Sequence, residues 1–179
     1  MPSQAERGQA SMSVHAGPEV SPRTRSIAFA RAAAVAVIVV ILDQVSKHAV
    51  RADISVGQVT TVLPGVRLVH VRNNGVAFGF FSGGGALVLV LTLVALSVLI
   101  GYFAWRPTRP WLWLPTGMLV GGALGNLIDR IANGSVTDFI KLPLWPAFNV
   151  ADMSITFGVI VLVLVIEYGG RDHGERDAG

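Results

Sequence analysis

Cysteine is absent from the 179-residue chain, and charged residues are scarce, at 14% of the sequence. Without cysteine there is no disulfide framework, no thiolate nucleophile and no cysteine-bound zinc. A typical soluble domain carries about 25% charged residues. This chain is instead 52% hydrophobic, with a mean hydropathy of +0.59. The composition argues against a soluble, disordered, collagen-like or coiled-coil protein and favours an integral membrane protein.

Nucleic-acid and metal partners are also disfavoured. The net charge of +3 is not evidence for nucleic-acid binding, because the basic residues form no patch. His48 and His70 lack a nearby group of carboxylates with the spacing of metal ligands. We therefore expect no metal and no cofactor.

Two polar tails enclose four apolar segments. Residues 1–25 and 169–179 lack any apolar period, and we predict that both are disordered tails. A helix needs about 20 apolar residues to cross a bilayer. The first apolar segment could instead be a cleaved signal peptide, but no A-x-A-like site follows it and three more spans do. The prediction is one membrane domain, residues 26–168, with transmembrane helices over about 27–47, 86–105, 111–129 and 147–167.

Four spans place both termini on one side of the membrane. Arginines flank that side at the N-terminal tail, between the second and third spans, and after the fourth. This weak bias predicts cytoplasmic termini and outward segments over residues 48–85 and 130–146. Within the first outward segment, Pro64-Gly65 separates the Val-rich stretches Val59–Leu63 and Val66–Val71. These stretches predict two short strands at the membrane surface.

The predicted topology gathers polar side chains at the outward ends of separate segments. An ionisable group near the membrane is costly and therefore suggests a functional site. Two carboxylates that share a proton can activate water with one member and polarise a carbonyl with the other, as in an aspartic peptidase. The gathered residues are Asp43, Asp129, Asp138, Asp152, Asn73, Asn126 and Asn149.

Simpler explanations remain open for several of these residues. Asp43 and Lys47 are four residues apart and could form an intrahelical ion pair. Asp129 could pair with Arg130, and Asp152 could cap a helix N-terminus. The GxxxG spacing of Gly121 and Gly125 favours close helix packing.

Two other classes of membrane protein are less compatible with the pattern. A proton-coupled transporter would place its acids nearer the bilayer midplane and would often contain an internal repeat. A non-enzymatic scaffold would explain the glycines but not the gathering of carboxylates and amides at one level.

Four ordered blocks resemble the lipoprotein signal peptidases, also called signal peptidase II. DQVSK at Asp43–Lys47 resembles the family's D-Q-x-[ST]-K block, and NNGVAFG at Asn73–Gly79 resembles N-x-G-A-A-F. The third block is GGALGNLIDR at Gly121–Arg130, followed by GSVTDF, and the fourth is FNVAD at Phe148–Asp152. Val76 and Met153 are mild departures from the family pattern. The resemblance covers about residues 28–168.

The resemblance implies a bacterial inner-membrane aspartic endopeptidase with four transmembrane helices and a small extracytoplasmic β-cradle. Its substrates would be diacylglyceryl-modified prolipoproteins, cleaved just before the lipidated cysteine near the outer face of the membrane. Globomycin would inhibit it, membrane lipid would surround it, and we expect a monomer. The resemblance assigns catalysis to Asp138 and Asp152. It assigns substrate-binding or supporting roles to Asp43, Lys47, Asn73, Asn126, Asp129, Arg130 and Asn149.

Overall fold

Four helices and a three-stranded sheet make up the part of the chain that the structure, a computed structural model, describes: residues 21–74 and 84–174. The elements in chain order are α1 (Pro22–Asp53), β1 (Val59–Leu63), β2 (Val66–Asn73), α2 (Gly84–Trp105), α3 (Trp113–Asn133), β3 (Val136–Lys141) and α4 (Val150–Gly174).

Two helices are long and apolar enough to cross a membrane, namely α1 and the Val150–Tyr168 part of α4. The apolar part of α2 is shorter, Val90–Trp105. Helix α3 combines glycines with Asn126, Asp129 and Arg130, which lower its hydropathy. The described residues thus contain two candidate spans, and the arrangement with four spans stays a prediction.

The first and last helices, α1 and α4, extend further than the apolar pattern predicts. Helix α1 begins at Pro22, inside the predicted tail, and continues six residues beyond Lys47 to Asp53. Proline suits the first helical position because its φ angle is preset and its missing N–H needs no partner there. Helix α4 continues through the start of the second predicted tail to Gly174. Residues 1–20 and 175–179 of the predicted tails lie outside the described residues.

The sheet is antiparallel, in the order β1-β2-β3. The first predicted strand agrees with β1, and the second extends two residues further, so that Asn73 pairs with Val136 on β3. Gly65, at φ 79°, allows the tight turn between β1 and β2. Strand β3 was not expected within the second outward segment. A small apolar cluster of Val50, Ile54 and Phe139 joins the sheet to the end of α1.

Helix α3 lies between α1 and α4, and glycines allow both close approaches. A Cβ atom at Gly121 would lie 2.8 Å from the Ala36 carbonyl oxygen of α1. A Cβ atom at Gly122 would lie 2.6 Å from the Ala151 carbonyl oxygen of α4. At Gly125, the nearest atom would be Asp43 Oδ2, at 2.6 Å. These contacts confirm the helix-packing interpretation of the glycines, and they bring the polar residues of three helices together.

Candidate active site

A buried ion pair on α1 forms the base of the polar site. Asp43 and Lys47 lie one helical turn apart, both are fully buried, and Lys47 Nζ is 2.7 Å from Asp43 Oδ2. The predicted intrahelical ion pair is therefore confirmed. Lys47 Nζ also lies 3.3 Å from Asp129 Oδ2 and donates to Asn126 Oδ1 at 2.9 Å. Burial of both charges requires these additional partners, because a desolvated ion is costly unless its hydrogen bonds are satisfied.

Asn126 connects the ion pair on α1 to the start of α4 by hydrogen bonds. Its Oδ1 accepts hydrogen bonds from Lys47 Nζ at 2.9 Å and from Asn149 Nδ2 at 3.1 Å. Its Nδ2 donates to Asp152 Oδ1 at 2.9 Å. Because both ends of the amide are occupied, its orientation is set by the cation on one side and the carboxylate on the other.

The first turn of α4 is a capping box made from Asn149 and Asp152. Asn149 Oδ1 accepts from the Asp152 N–H at 2.9 Å, and Asp152 Oδ2 accepts from the Asn149 N–H at 3.2 Å. Asp43 Oδ1 accepts from the Ala151 N–H at 2.9 Å and satisfies a further free donor of the same turn. The capping interpretation of Asp152 is correct, and it does not exclude a role at the site, because Oδ1 faces Asn126 instead.

Asp138 comes from β3 and shares Asn149 with Asp152. Asn149 Nδ2 donates to Asp138 Oδ1 at 2.8 Å, and Asn73 Nδ2 donates to Asp138 Oδ2 at 2.9 Å. The side chains of Asp138 and Asp152 are thus joined through one residue. Burial raises the pKa of Asp138 from 3.8 to about 6, and the negative charge of Asp152 adds to the rise. The two asparagine donors and Lys47 act in the opposite direction but do not cancel it.

Arg130 is the predicted site residue with the weakest connection to the others. Its Nη1 donates at 3.4 Å to the Asn126 carbonyl oxygen on its own helix. Within the described residues, Asp129 pairs with Lys47 and Arg51, so the proposed Asp129–Arg130 ion pair is wrong. Adjacent residues on a helix project about 100° apart, and Asp129 faces α1.

Three polar residues at the site were missed in the sequence: Gln44, Arg51 and Thr137. Gln44 Nε2 donates to Asp43 Oδ2 at 3.1 Å and to the Gly125 carbonyl oxygen at 3.0 Å. Arg51 Nη1 donates to Asp129 Oδ1 at 3.3 Å and to Thr137 Oγ1 at 3.1 Å. The missed signal for Arg51 is its spacing: it lies four residues after Lys47, which itself lies four after Asp43, so all three share a helix face.

Metal ligands do not assemble in residues 21–74 and 84–174, where no group of three His, Asp or Glu side chains is placed to hold an ion. His70 is buried, and its Nδ1 lies 2.7 Å from the Ile54 carbonyl oxygen. His48 is exposed on α1. The motif residues from Gly75 to Gly79 lie outside the described residues.

Comparisons with known proteins agree with the fold and with the motifs. The family model for signal peptidase (SPase) II matches residues 35–167. The lipoprotein signal peptidase of Halothermothrix orenii is 39% identical over 133 residues, covering 74% of this chain and 92% of that relative. The one from Moorella thermoacetica is 42% identical over 129 residues, covering 71% and 86%.

A solved structure also matches, described as a bacterial membrane enzyme determined by the in meso method at 1.9 Å resolution. It is 35% identical in sequence, with a TM-score of 0.68, and the match covers 76% of this chain and 92% of that one. A second such structure, at 2.3 Å resolution, is 33% identical, with a TM-score of 0.69 and coverage of 80% and 91%.

Proposed function

The chain belongs to the signal peptidase II family, and we propose that it is an aspartic endopeptidase that removes signal peptides from diacylglyceryl-modified prolipoproteins. Family membership identifies it as a membrane peptidase that acts on lipoproteins. The proposal adds that Asp138 and Asp152 are the catalytic pair and that cleavage occurs just before the lipidated cysteine.

The observation that carries the proposal is the sharing of Asn149 by two carboxylates from different elements. Asn149 donates to Asp138 from its side chain and to Asp152 from its backbone, at 2.8 and 3.2 Å. Asp138 is 2% exposed, and its pKa is raised to about 6. A carboxyl group with a raised pKa beside a second carboxyl group is the arrangement that water activation by an acid–base pair requires.

The two members take different roles, and the raised pKa of Asp138 favours it as the one that carries a proton in the reactive form. In that form Asp138 donates a hydrogen bond to the carbonyl oxygen of the scissile peptide. Asp152, as a carboxylate, accepts a proton from water while the water oxygen attacks the carbonyl carbon. As the tetrahedral intermediate collapses, the proton on Asp152 passes to the leaving amine nitrogen, and the C–N bond breaks.

The other site residues hold this pair in place. Asn126 orients Asp152, and Asn73 binds the second oxygen of Asp138. A charged cluster contacts Asn126 and the start of α4, and it consists of Asp43, Lys47 and Asp129. Arg130, which is partly exposed at the end of α3, remains available to contact substrate.

The substrate and the membrane explain the position of the site. A prolipoprotein is anchored by its acyl chains and its apolar signal helix, so it reaches the site by diffusion within the bilayer. We propose four spans in the bacterial inner membrane, both termini in the cytoplasm, and a monomeric enzyme whose site lies near the outer face. Strands β1 to β3 would then form the extracytoplasmic cradle, and globomycin would inhibit cleavage.

Cleavage of a diacylglyceryl-modified prolipoprotein by the purified protein tests the proposal. Asp138→Asn and Asp152→Asn should each lower kcat by at least about a hundredfold, as expected for loss of a general acid or base. Asp53→Asn is the matched control, since Asp53 is exposed at the end of α1. Globomycin should block the wild type.

Two results would contradict this assignment. Turnover near the wild-type rate by either folded aspartate variant would exclude that residue from catalysis. Absence of cleavage by folded wild type that still binds globomycin would contradict the peptidase activity itself.

A further inference from the structure

Arg51 contacts the strand that carries Asp138, although the sequence motifs do not include it. It lies on α1 one turn beyond Lys47, and its side chain is 27% exposed. Its Nη1 is 3.3 Å from Asp129 Oδ1 and donates to Thr137 Oγ1 at 3.1 Å. Arg51 thus joins α1, the end of α3 and the start of β3 at a single guanidinium nitrogen.

Thr137 is held by its backbone as well as by its side chain. Its N–H donates to Asp129 Oδ2 at 2.9 Å, while its hydroxyl accepts from Arg51. Thr137 directly precedes Asp138, and neighbouring residues on a strand project to opposite faces. Fixing Thr137 on the α1 side therefore fixes the direction in which the Asp138 carboxylate leaves β3.

Arg51 also affects how Lys47 is shared between its two carboxylate partners. Lys47 lies between two buried carboxylates, 2.7 Å from Asp43 and 3.3 Å from Asp129. Arg51 supplies Asp129 with a second cation, which leaves Lys47 close to Asp43 and bonded to Asn126. Without Arg51, Asp129 would draw Lys47 towards itself and weaken the hydrogen bond from Lys47 to Asn126, the residue that orients Asp152.

We propose that Arg51 is a positioning residue for the reaction: through Thr137 and Asp129 it holds Asp138 in register with Asp152. The inference rests on the proposed function, because it concerns the geometry of that catalytic pair. It adds a residue that contacts neither Asp138 nor Asp152 but controls the placement of Asp138.

The experiment measures kcat and KM for the full-length enzyme with the same lipidated substrate. Arg51→Gln removes the charge, and Thr137→Val removes the hydroxyl while keeping the shape of the side chain. Thr137→Ser keeps the hydroxyl and is the matched control for Thr137→Val. Arg67→Gln is the control for loss of a cation, since Arg67 is exposed on β2.

We expect Arg51→Gln and Thr137→Val each to lower kcat about ten- to hundredfold, the loss expected for a misplacement near 1 Å. KM should stay within about twofold, because the interaction acts on the reacting geometry and not on substrate binding. The variant that combines Arg51→Gln and Thr137→Val should be about as slow as the slower single variant, since both changes remove the same Arg51–Thr137 hydrogen bond. Arg51→Lys should recover part of the rate, and Thr137→Ser most of it.

Several outcomes would overturn this role. One is a kcat for Arg51→Gln within twofold of wild type, and another is a double variant in which the two losses multiply. Should Arg51→Gln fail to fold, equal kcat for Thr137→Val and Thr137→Ser would be decisive against it. An active wild type with an unaffected Arg51→Gln would contradict this inference alone, whereas an inactive wild type would contradict the proposed function and this inference with it.

Discussion

The raised pKa of Asp138 predicts a pH-dependent cost in stability that the Asn variant should not share. Asp138 is 2% exposed, and its pKa rises from 3.8 to about 6 because burial disfavours the carboxylate. A higher pKa in the folded protein means that the folded state binds more protons than the unfolded chain, so stability falls as pH rises. A shift of about two units at 1.36 kcal/mol per unit is worth about 3 kcal/mol.

The sign and the pH window follow from the two pKa values. Well below pH 3.8 the group is protonated in both states and costs nothing, whereas well above pH 6 the full penalty is present. The stability of wild type minus that of Asp138→Asn should therefore fall by about 2.5 kcal/mol between pH 4 and pH 7. For a chain of this length that corresponds to about 5–10 °C in the midpoint of thermal unfolding.

The measurement is thermal unfolding of wild type and Asp138→Asn in the same detergent over that pH range. Comparison at each pH removes most of the contribution of the other titrating groups, which the two proteins share. The constant part of the difference is not predicted, because Asn73 and Asn149 both donate to Asp138 and an amide can accept from only one of them. A difference that does not change with pH, or that grows in favour of wild type as pH rises, would refute the reasoning.

Two further predictions concern the buried charges and the helix contacts. Lys47→Met leaves Asp43 without its cation and should lower the free energy of unfolding by about 3–5 kcal/mol. The control is Lys141→Met, which should cost less than about 1 kcal/mol because Lys141 is partly exposed. Denaturant titration measures both costs, and equal costs would contradict the role of Lys47. Gly121→Ala should cost about 1–3 kcal/mol by forcing α1 and α3 apart, since its Cβ would meet backbone atoms of Ala36 within 2.9 Å. Gly101→Ala, with nothing within 4 Å, should be neutral or slightly stabilising in the same titration, and a similar loss at both glycines would count against the packing argument.

Local patterns predicted the parts of the fold whose partners are near in sequence. The Pro64-Gly65 turn between two Val-rich stretches predicted strands β1 and β2, and the spacing of Asp43 and Lys47 predicted their ion pair. Strand β3 was missed because it is short, contains Asp138 and Lys141, and pairs with a strand more than sixty residues away. Its burial comes from tertiary contacts that no local pattern contains.

The clustering of the polar residues was predictable, but their individual partners were not. The predicted topology gathered the carboxylates and amides, and the structure places Asp43, Asp129, Asp138 and Asp152 in one network of hydrogen bonds and ion pairs. The choice of Arg51 over Arg130 as the partner of Asp129 depends on which face of α3 meets α1. Glycine contacts determine that rotation, and they become clear only when both helices are placed.

The same residues stabilise the fold and hold the two carboxylates proposed for catalysis. Asn149 caps α4, which is worth about 1 kcal/mol for a typical N-cap, and its side chain also binds Asp138. Asp43 satisfies a backbone donor of the same helix turn while neutralising Lys47. Since ionisation of Asp138 costs stability, these surrounding interactions have to offset that cost near the site. The capping box therefore holds Asp152 directly at the start of α4. Asp138 is held by Asn73 and Asn149 and, through its neighbour Thr137, depends on the contacts of β3 with Arg51 and Asp129.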